Sequence, residues 1–141
     1  MRNVPFPFNE SERSQQMQWH YNNTGNVFAQ ASRLGADANV YAAWQLSTGD
    51  PDVIVAVIDQ GVKYDHEDLA ANMWVNEAEL NGTPGVDDDG NGYADDVYGY
   101  NFALGTSRLT WDVEAYDDKG KNVGDSGHGT HVAGTVAAVS N

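Results

Sequence analysis

The longest unbroken apolar run in the chain is Val53-Ile54-Val55-Ala56-Val57-Ile58, set between a Gly49-Asp50-Pro51 turn and Asp59. Its residues are mostly β-branched and do not alternate with polar ones, which predicts a strand buried on both faces, as in the middle of a parallel sheet covered by helices. Upstream, residues 38–47 suit a short helix. Val40, Tyr41, Trp44 and Ala43 share one face, Asp37 is placed as an N-cap, and Gly49 follows the end. Downstream, one or two helical turns are expected around Leu69, Met73 and Trp74, with a short piece near Leu80. Residues 81–97 form a Gly/Asp loop with little apolar content, Val97–Phe102 turns aromatic and strand-like, and 110–126 is acidic and irregular. The stretch from His128 to Val139 is dense in Ala, Gly and Thr, so it predicts a helix that approaches the sheet closely. Strands alternating with helices give an α/β class, and no internal repeat is present.

The remaining sequence bounds this picture. The 141 residues suffice for a domain with a core, and the four Trp and seven Tyr exclude a disordered tail. Residues 1–26, polar and aromatic with Pro5, Pro7 and an Asn22-Asn23-Thr24-Gly25 turn, read as an extended N-terminal arm, leaving 27–141 as the domain proper. A formal net charge of −14 argues against a phosphate-binding surface, hence against nucleic acid, and disfavours an anionic membrane face. There is no cysteine, so no disulfide or thiolate chemistry. No run approaches the ~20 apolar residues of a membrane span. Met1–Glu10 has no apolar core of a signal peptide, so for an exported protein the signal is expected upstream.

Two residues carry candidate chemistry. Asp59 closes the apolar strand, where open α/β sheets gather ligands and catalytic groups, although a turn or cap aspartate is the plainer alternative. His128 stands between Gly127 and Gly129 at the start of the final helix, which leaves an imidazole room; a surface histidine is the plainer alternative there. At this point the residues resemble a known family. Val57-Ile58-Asp59-Gln60-Gly61 resembles the catalytic-Asp motif of the subtilisin-like (S8) serine proteases. The stretch Ser126-Gly127-His128-Gly129-Thr130-His131-Val132-Ala133-Gly134-Thr135 is similar to their catalytic-His motif almost residue for residue. Gln60 departs from the small residue usual in the first motif.

The resemblance implies the N-terminal portion of a three-layer domain with a mainly parallel sheet, incomplete in these residues. It implies a serine endopeptidase acting on polypeptide substrates, with His128 as the base, Asp59 orienting it and His131 structural. The family's Gly-Thr-Ser-Met-Ala-type nucleophile segment and its oxyanion asparagine do not occur among the 141 residues, and Ser126, two residues from His128, reads as a turn or cap serine. The chain by itself is therefore expected to be inactive and marginally folded, its partner being the rest of the protease domain. The family also implies secretion or the cell surface.

The second informative stretch is Val86-Asp87-Asp88-Asp89-Gly90-Asn91-Gly92-Tyr93-Ala94-Asp95-Asp96-Val97. Asp87, Asp89, Asn91, Gly92 and Asp95 match positions 1, 3, 5, 6 and 9 of an EF-hand-type loop, with Tyr93 offering its carbonyl. Tyr98 stands where the closing glutamate belongs, and Asp96 is placed as its substitute. Hard oxygen donors select calcium, and five crowded carboxylates repel one another without a cation; an acidic surface turn is the plainer alternative. By resemblance Asp68 matches a calcium-liganding aspartate of the family. Asp112, Glu114, Asp117 and Asp118 read as a solvated face. Two other functions remain possible at this level: a calcium-binding module that never cuts, and a zinc hydrolase using His128 and His131, which lacks the glutamate of a His-Glu-x-x-His helix.

Overall fold

A computed structural model describes residues 17–27, 30–111, 118–120 and 127–139, and divides the chain into two compact units, Met1–Val53 with Ser140–Asn141, and Ile54–Val139. In the first unit, strands β1 (Asn26–Val27) and β2 (Gln30–Ala31) pair antiparallel, Asn26 opposite Ala31. Asn23 organises the entry to this hairpin. Its Oδ1 accepts the Gly25 N–H at 2.9 Å and the Ser32 hydroxyl at 2.8 Å, and its own N–H donates to Asp37 Oδ2 at 2.8 Å. Gly25 takes φ +88°, as the Asn-Thr-Gly signal requires. Residues 1–16 of the expected arm lie outside the described residues.

Helix α1 (Val40–Trp44) is shorter than predicted. Asp37 is not its N-cap: its Oδ1 accepts the Asn39 N–H at 2.7 Å in a turn, and Asn39 enters the helix at φ 56° with no side-chain cap. Of the predicted face, Tyr41 is buried, Val40 and Trp44 are half-buried, and Ala43 is exposed. Tyr41 stacks on Trp44 with ring centroids 5.6 Å apart, and Tyr21 meets Trp44 edge-on.

In the second unit the predicted strand 53–58 does not form. No ladder hydrogen bond reaches 54–58 among the described residues, and Val53, Ile54, Val55 and Ile58 are 67, 64, 55 and 97 % exposed. An apolar pattern reports what a segment would bury, but a strand also needs a partner edge for its N–H and C=O groups. No described segment supplies one, so the expected parallel sheet is absent there. Val97–Phe102 likewise makes turns, with one antiparallel bridge, Asn101 to Thr106. Its rings divide between two clusters: Tyr98 stacks on Tyr64 at 4.3 Å, while Tyr100 and Phe102 gather around Tyr93.

The helical predictions fare better. A 3-10 turn covers Ala70–Asn72, α2 runs Glu77–Leu80, and α3 runs His128–Ala137. Gly129 and Ala133, one turn apart on α3, are its buried face; Ala133 joins Val62 and Leu69 in a small core, flanked by Val57 and Met73. Four hydrogen bonds and contacts hold α3. The Lys63 N–H donates to Thr130 Oγ1 at 3.0 Å near its start, and at its end Asn72 Nδ2 donates to the Ala137 carbonyl at 2.8 Å and the Val139 N–H to the Asp68 carbonyl at 2.8 Å. The fourth is the closest: any Cβ at Gly129 would strike the Gly61 carbonyl and lie 3.1 Å from Asp59 Cβ. Gly61 itself has φ +130° and abuts the Thr110 carbonyl. Gly129 lets the first turn of α3 rest on the backbone of residues 59–61, while Gly61 makes room for the Thr110 carbonyl.

Candidate active site and acidic loop

That close approach brings together two side chains 69 residues apart. His128 Nδ1 lies 2.7 Å from Asp59 Oδ2. A carboxylate only accepts, so Nδ1 carries the proton and, in the neutral ring, Nε2 keeps its lone pair. The other oxygen, Oδ1, accepts the Gln60 N–H at 2.8 Å. Both carboxylate oxygens are thus committed, which fixes the plane of the acid and through it the ring. The Gln60 contribution comes from its main chain, so the unusual residue type at 60 costs nothing to this contact. The Asp59 side chain retains 15 % of its exposure and His128 54 %, an arrangement with the acid behind and the imidazole forward. The Asp59 carboxyl is held below the ordinary range, first by the Gln60 N–H and then by the His128 hydrogen bond and charge, against partial desolvation, which pushes the other way. Gly127 is open on its Cβ side, so the glycines flanking His128 differ: one leaves space, the other allows contact.

His131 lines a cavity of about 420 Å³ with Lys63, His66, Asp68, Leu69 and Trp111, and neither Asp59 nor His128 borders it. Among the described residues no group of three metal-holding side chains includes a histidine. Ser126, Asp112, Glu114 and Asp117 lie outside the described residues; Asp118 is exposed.

The acidic loop is ordered by its own carboxylates. Asp87 Oδ1 accepts the Gly90 and Asn91 N–H groups and Oδ2 that of Gly92, while Asp95, at φ +58°, turns its carboxylate to the Gly85 N–H. The Tyr93 N–H donates to Asn91 Oδ1 at 2.8 Å. Of the candidate ligands, Asp89 and Asp96 converge, joined by a residue outside the loop pattern. Glu79 on α2 is only 6 % exposed; its Oε1 accepts the N–H groups of Asp88 and Asp89, and its Oε2 that of Asp95. Oxygens of Glu79, Asp89 and Asp96 lie within 4.8 Å of one another. Asn76 donates to both Asp89 and Asp96 at 2.9 Å, and Asn91 Nδ2 also reaches both. The Asn76 hydrogen bond is the main reason the Asp89 carboxyl is held low. An all-carboxylate trio with a buried member fits a hard divalent cation. Asp68 stands apart, 3.9 Å from His66 Nδ1 and at the cavity. An EF-hand keeps its closing glutamate after the loop; here Glu79 comes eight residues before Asp87, and no sequence spacing announces it.

Comparison with known proteins gives the class. The sequence profile of the "Subtilase family" matches residues 50–141, and the chain belongs to that family. It is 42 % identical over 87 residues to "Subtilisin-like protease 1" of Plasmodium berghei (strain Anka) and 45 % to that of Plasmodium vivax, each match covering 62 % of this chain and 12 % of the relative. It is 37 % identical over 103 residues to "Halolysin-like extracellular serine protease Nep" of Natrialba magadii, covering 73 % of this chain and 14 % of that protein. The matches thus span about an eighth of the relatives' length.

Proposed function

We propose that this chain supplies the acid and the base of a serine endopeptidase of the subtilase family. The observation that carries the reading is the 2.7 Å contact of His128 Nδ1 with Asp59 Oδ2. With Nδ1 donating, Nε2 is the atom able to take a proton from a serine hydroxyl as it attacks a peptide carbonyl, and to return it to the leaving amine. Asp59 holds the ring in that tautomer and stabilises the imidazolium. The 141 residues contain no nucleophile segment of the family's type, so by themselves they are proposed to be inactive, completing a site only with the rest of a protease domain.

Calcium is part of the proposal. Glu79, Asp89 and Asp96 would hold it, with Asn91 adjacent, and the ion would neutralise their charge and brace the loop. Polypeptides are the proposed substrates, and the extracellular relative supports export.

The test is turnover of a peptide substrate by a polypeptide that continues this chain through a nucleophile segment. Asp59→Asn is expected to lower kcat about 10⁴-fold and His128→Ala about 10⁶-fold, the scale of the handicap when triad members are removed in subtilisin. Cleavage at the unsubstituted rate in either variant would overturn the reading.

A further inference from the structure

The sequence holds two Asn-Gly pairs, Asn81-Gly82 and Asn91-Gly92. In such pairs the glycine nitrogen, unhindered by a side chain, can attack the asparagine side-chain carbonyl, and asparagine is a thermolabile residue for this reason. The demands are three: a proton must leave the glycine nitrogen, charge must be stabilised on Oδ1, and Nδ2 must depart as ammonia. The structure sets the two pairs apart at the glycine nitrogen and in the space around it, whereas Nδ2 donates to a carboxylate in both.

At Asn91 the first two demands are met. The Gly92 N–H points to Asp87 Oδ2 at 2.7 Å, Oδ1 accepts the Tyr93 N–H at 2.8 Å, and Nδ2 donates to Asp89 and Asp96 at 3.1 and 3.0 Å. Both residues are exposed, and Gly92 has open space around it. At Asn81 the Gly82 N–H meets only the Glu79 main-chain carbonyl at 3.3 Å, a poor proton acceptor. Asn81 Nδ2 is tied to the Glu77 carbonyl and carboxylate at 2.9 and 3.0 Å, and Gly82 is crowded by Asp88 and the Ala78 carbonyl.

We infer that Asn91 is a site of spontaneous deamidation, selected over Asn81 by the fold of the acidic loop. The Gly92 nitrogen bonds to Asn91 Cγ as its proton passes to Asp87. The Tyr93 N–H holds the oxyanion; Asp87 then passes the proton through solvent to Nδ2, and as the oxyanion collapses the Cγ–Nδ2 bond breaks and ammonia leaves. Solvent water then opens the cyclic imide to an aspartate or isoaspartate linkage. The product replaces an amide beside Glu79, Asp89 and Asp96 with a carboxylate, so the loop gains one negative charge with age.

The experiment incubates a polypeptide that continues this chain through the rest of its protease domain at mildly alkaline pH and follows amide-to-acid conversion at both asparagines by peptide mass spectrometry. Because a donor aimed at developing charge accelerates a reaction by at least about tenfold, Asn91 is expected to convert about tenfold faster than Asn81. In urea, where the loop is lost, the two rates should converge. Asp87→Ser should slow conversion at 91 and leave 81 unchanged. Equal rates in the folded chain, or a ratio that survives urea, would overturn the inference, as would faster conversion at 91 in the serine variant; the urea comparison decides even where that variant disturbs the loop.

Discussion

The corner formed by Asp59 and His128 and the acidic loop hold their polar groups in opposite ways. At the corner a single side-chain contact spans 69 residues of sequence, and it exists because α3 rests on residues 59–61 through Gly129. In the loop nearly every bond is local: Asp87 to Gly90, Asn91 and Gly92, Asn91 to Tyr93, with Glu79 drawing in three N–H groups from at most 16 residues away. Long-range geometry depends on packing and is lost with it, whereas a local network carries its own order. Substitutions that loosen the core should therefore separate Asp59 from His128 before they unwind the loop.

The largest effect is expected from Leu69→Ala. Leu69 is 3 % exposed and lies against Val62 and Ala133, the residue that seats α3. Deleting such a side chain costs about 3 kcal/mol. Ring ¹⁵N shifts of His128 should lose the mark of an Asp-bound Nδ1, while amide exchange at Gly90, Asn91 and Gly92 stays slow. Simultaneous loss at both places would show that the loop leans on the core after all.

Gly129→Ala strikes the corner alone. Alanine gains about 1 kcal/mol of helix propensity over glycine, but its methyl would occupy the space of the Gly61 carbonyl, and overpacking of this kind costs about 2 kcal/mol. The net expected outcome is a modest destabilisation with a displaced His128. An alanine variant more stable than the parent, with the Asp59 contact intact, would mean the approach is looser than described.

Glu79→Gln tests the loop. An amide can accept through only one oxygen, so one side of the clasp loses its acceptor, at a cost of about 1 kcal/mol or somewhat more. Amide exchange at Asp95, or at Asp88 and Asp89, should quicken, calcium affinity should fall, and the His128 signal should not move. Unchanged calcium binding would remove Glu79 from the proposed site.

How much of this was readable in advance follows the same division. The pair Asp59 and His128 was legible because two motifs recur together, though neither periodicity nor spacing says that residues 69 apart will touch. The turn chemistry of the loop was legible because aspartate and asparagine bond their own backbone within a few residues. Glu79 was not: its partners are N–H groups, which carry no residue-type signal. Residues 53–58 misled for a related reason. Six apolar residues announce a preference for burial, but ladder partners lie elsewhere in the chain, and the described residues offer none. Gly129 was read as making room for an imidazole, when its own packing against Gly61 is the tighter requirement.

The smallest predicted effect, and the sharpest on the corner, concerns acid. The Asp59 carboxyl is held low chiefly by the Gln60 N–H and secondarily by His128. Its folded pKa therefore lies below its unfolded value of about 3.9. The sign follows from linkage: whatever the ionised pair contributes to the fold is present above that unfolded value and is lost as pH falls through the lower folded one. A carboxyl ¹³C titration should find Asp59 still ionised at a pH where exposed aspartates are half protonated, and the His128 contact should dissolve only below about pH 4. Gln60→Ala should leave this behaviour almost unchanged, since the main chain makes the dominant bond; Gln60→Pro, which has no N–H, should raise the midpoint. If the alanine substitution shifts Asp59 as far as the proline does, then the side chain at 60, and not the backbone, sets the acid in place.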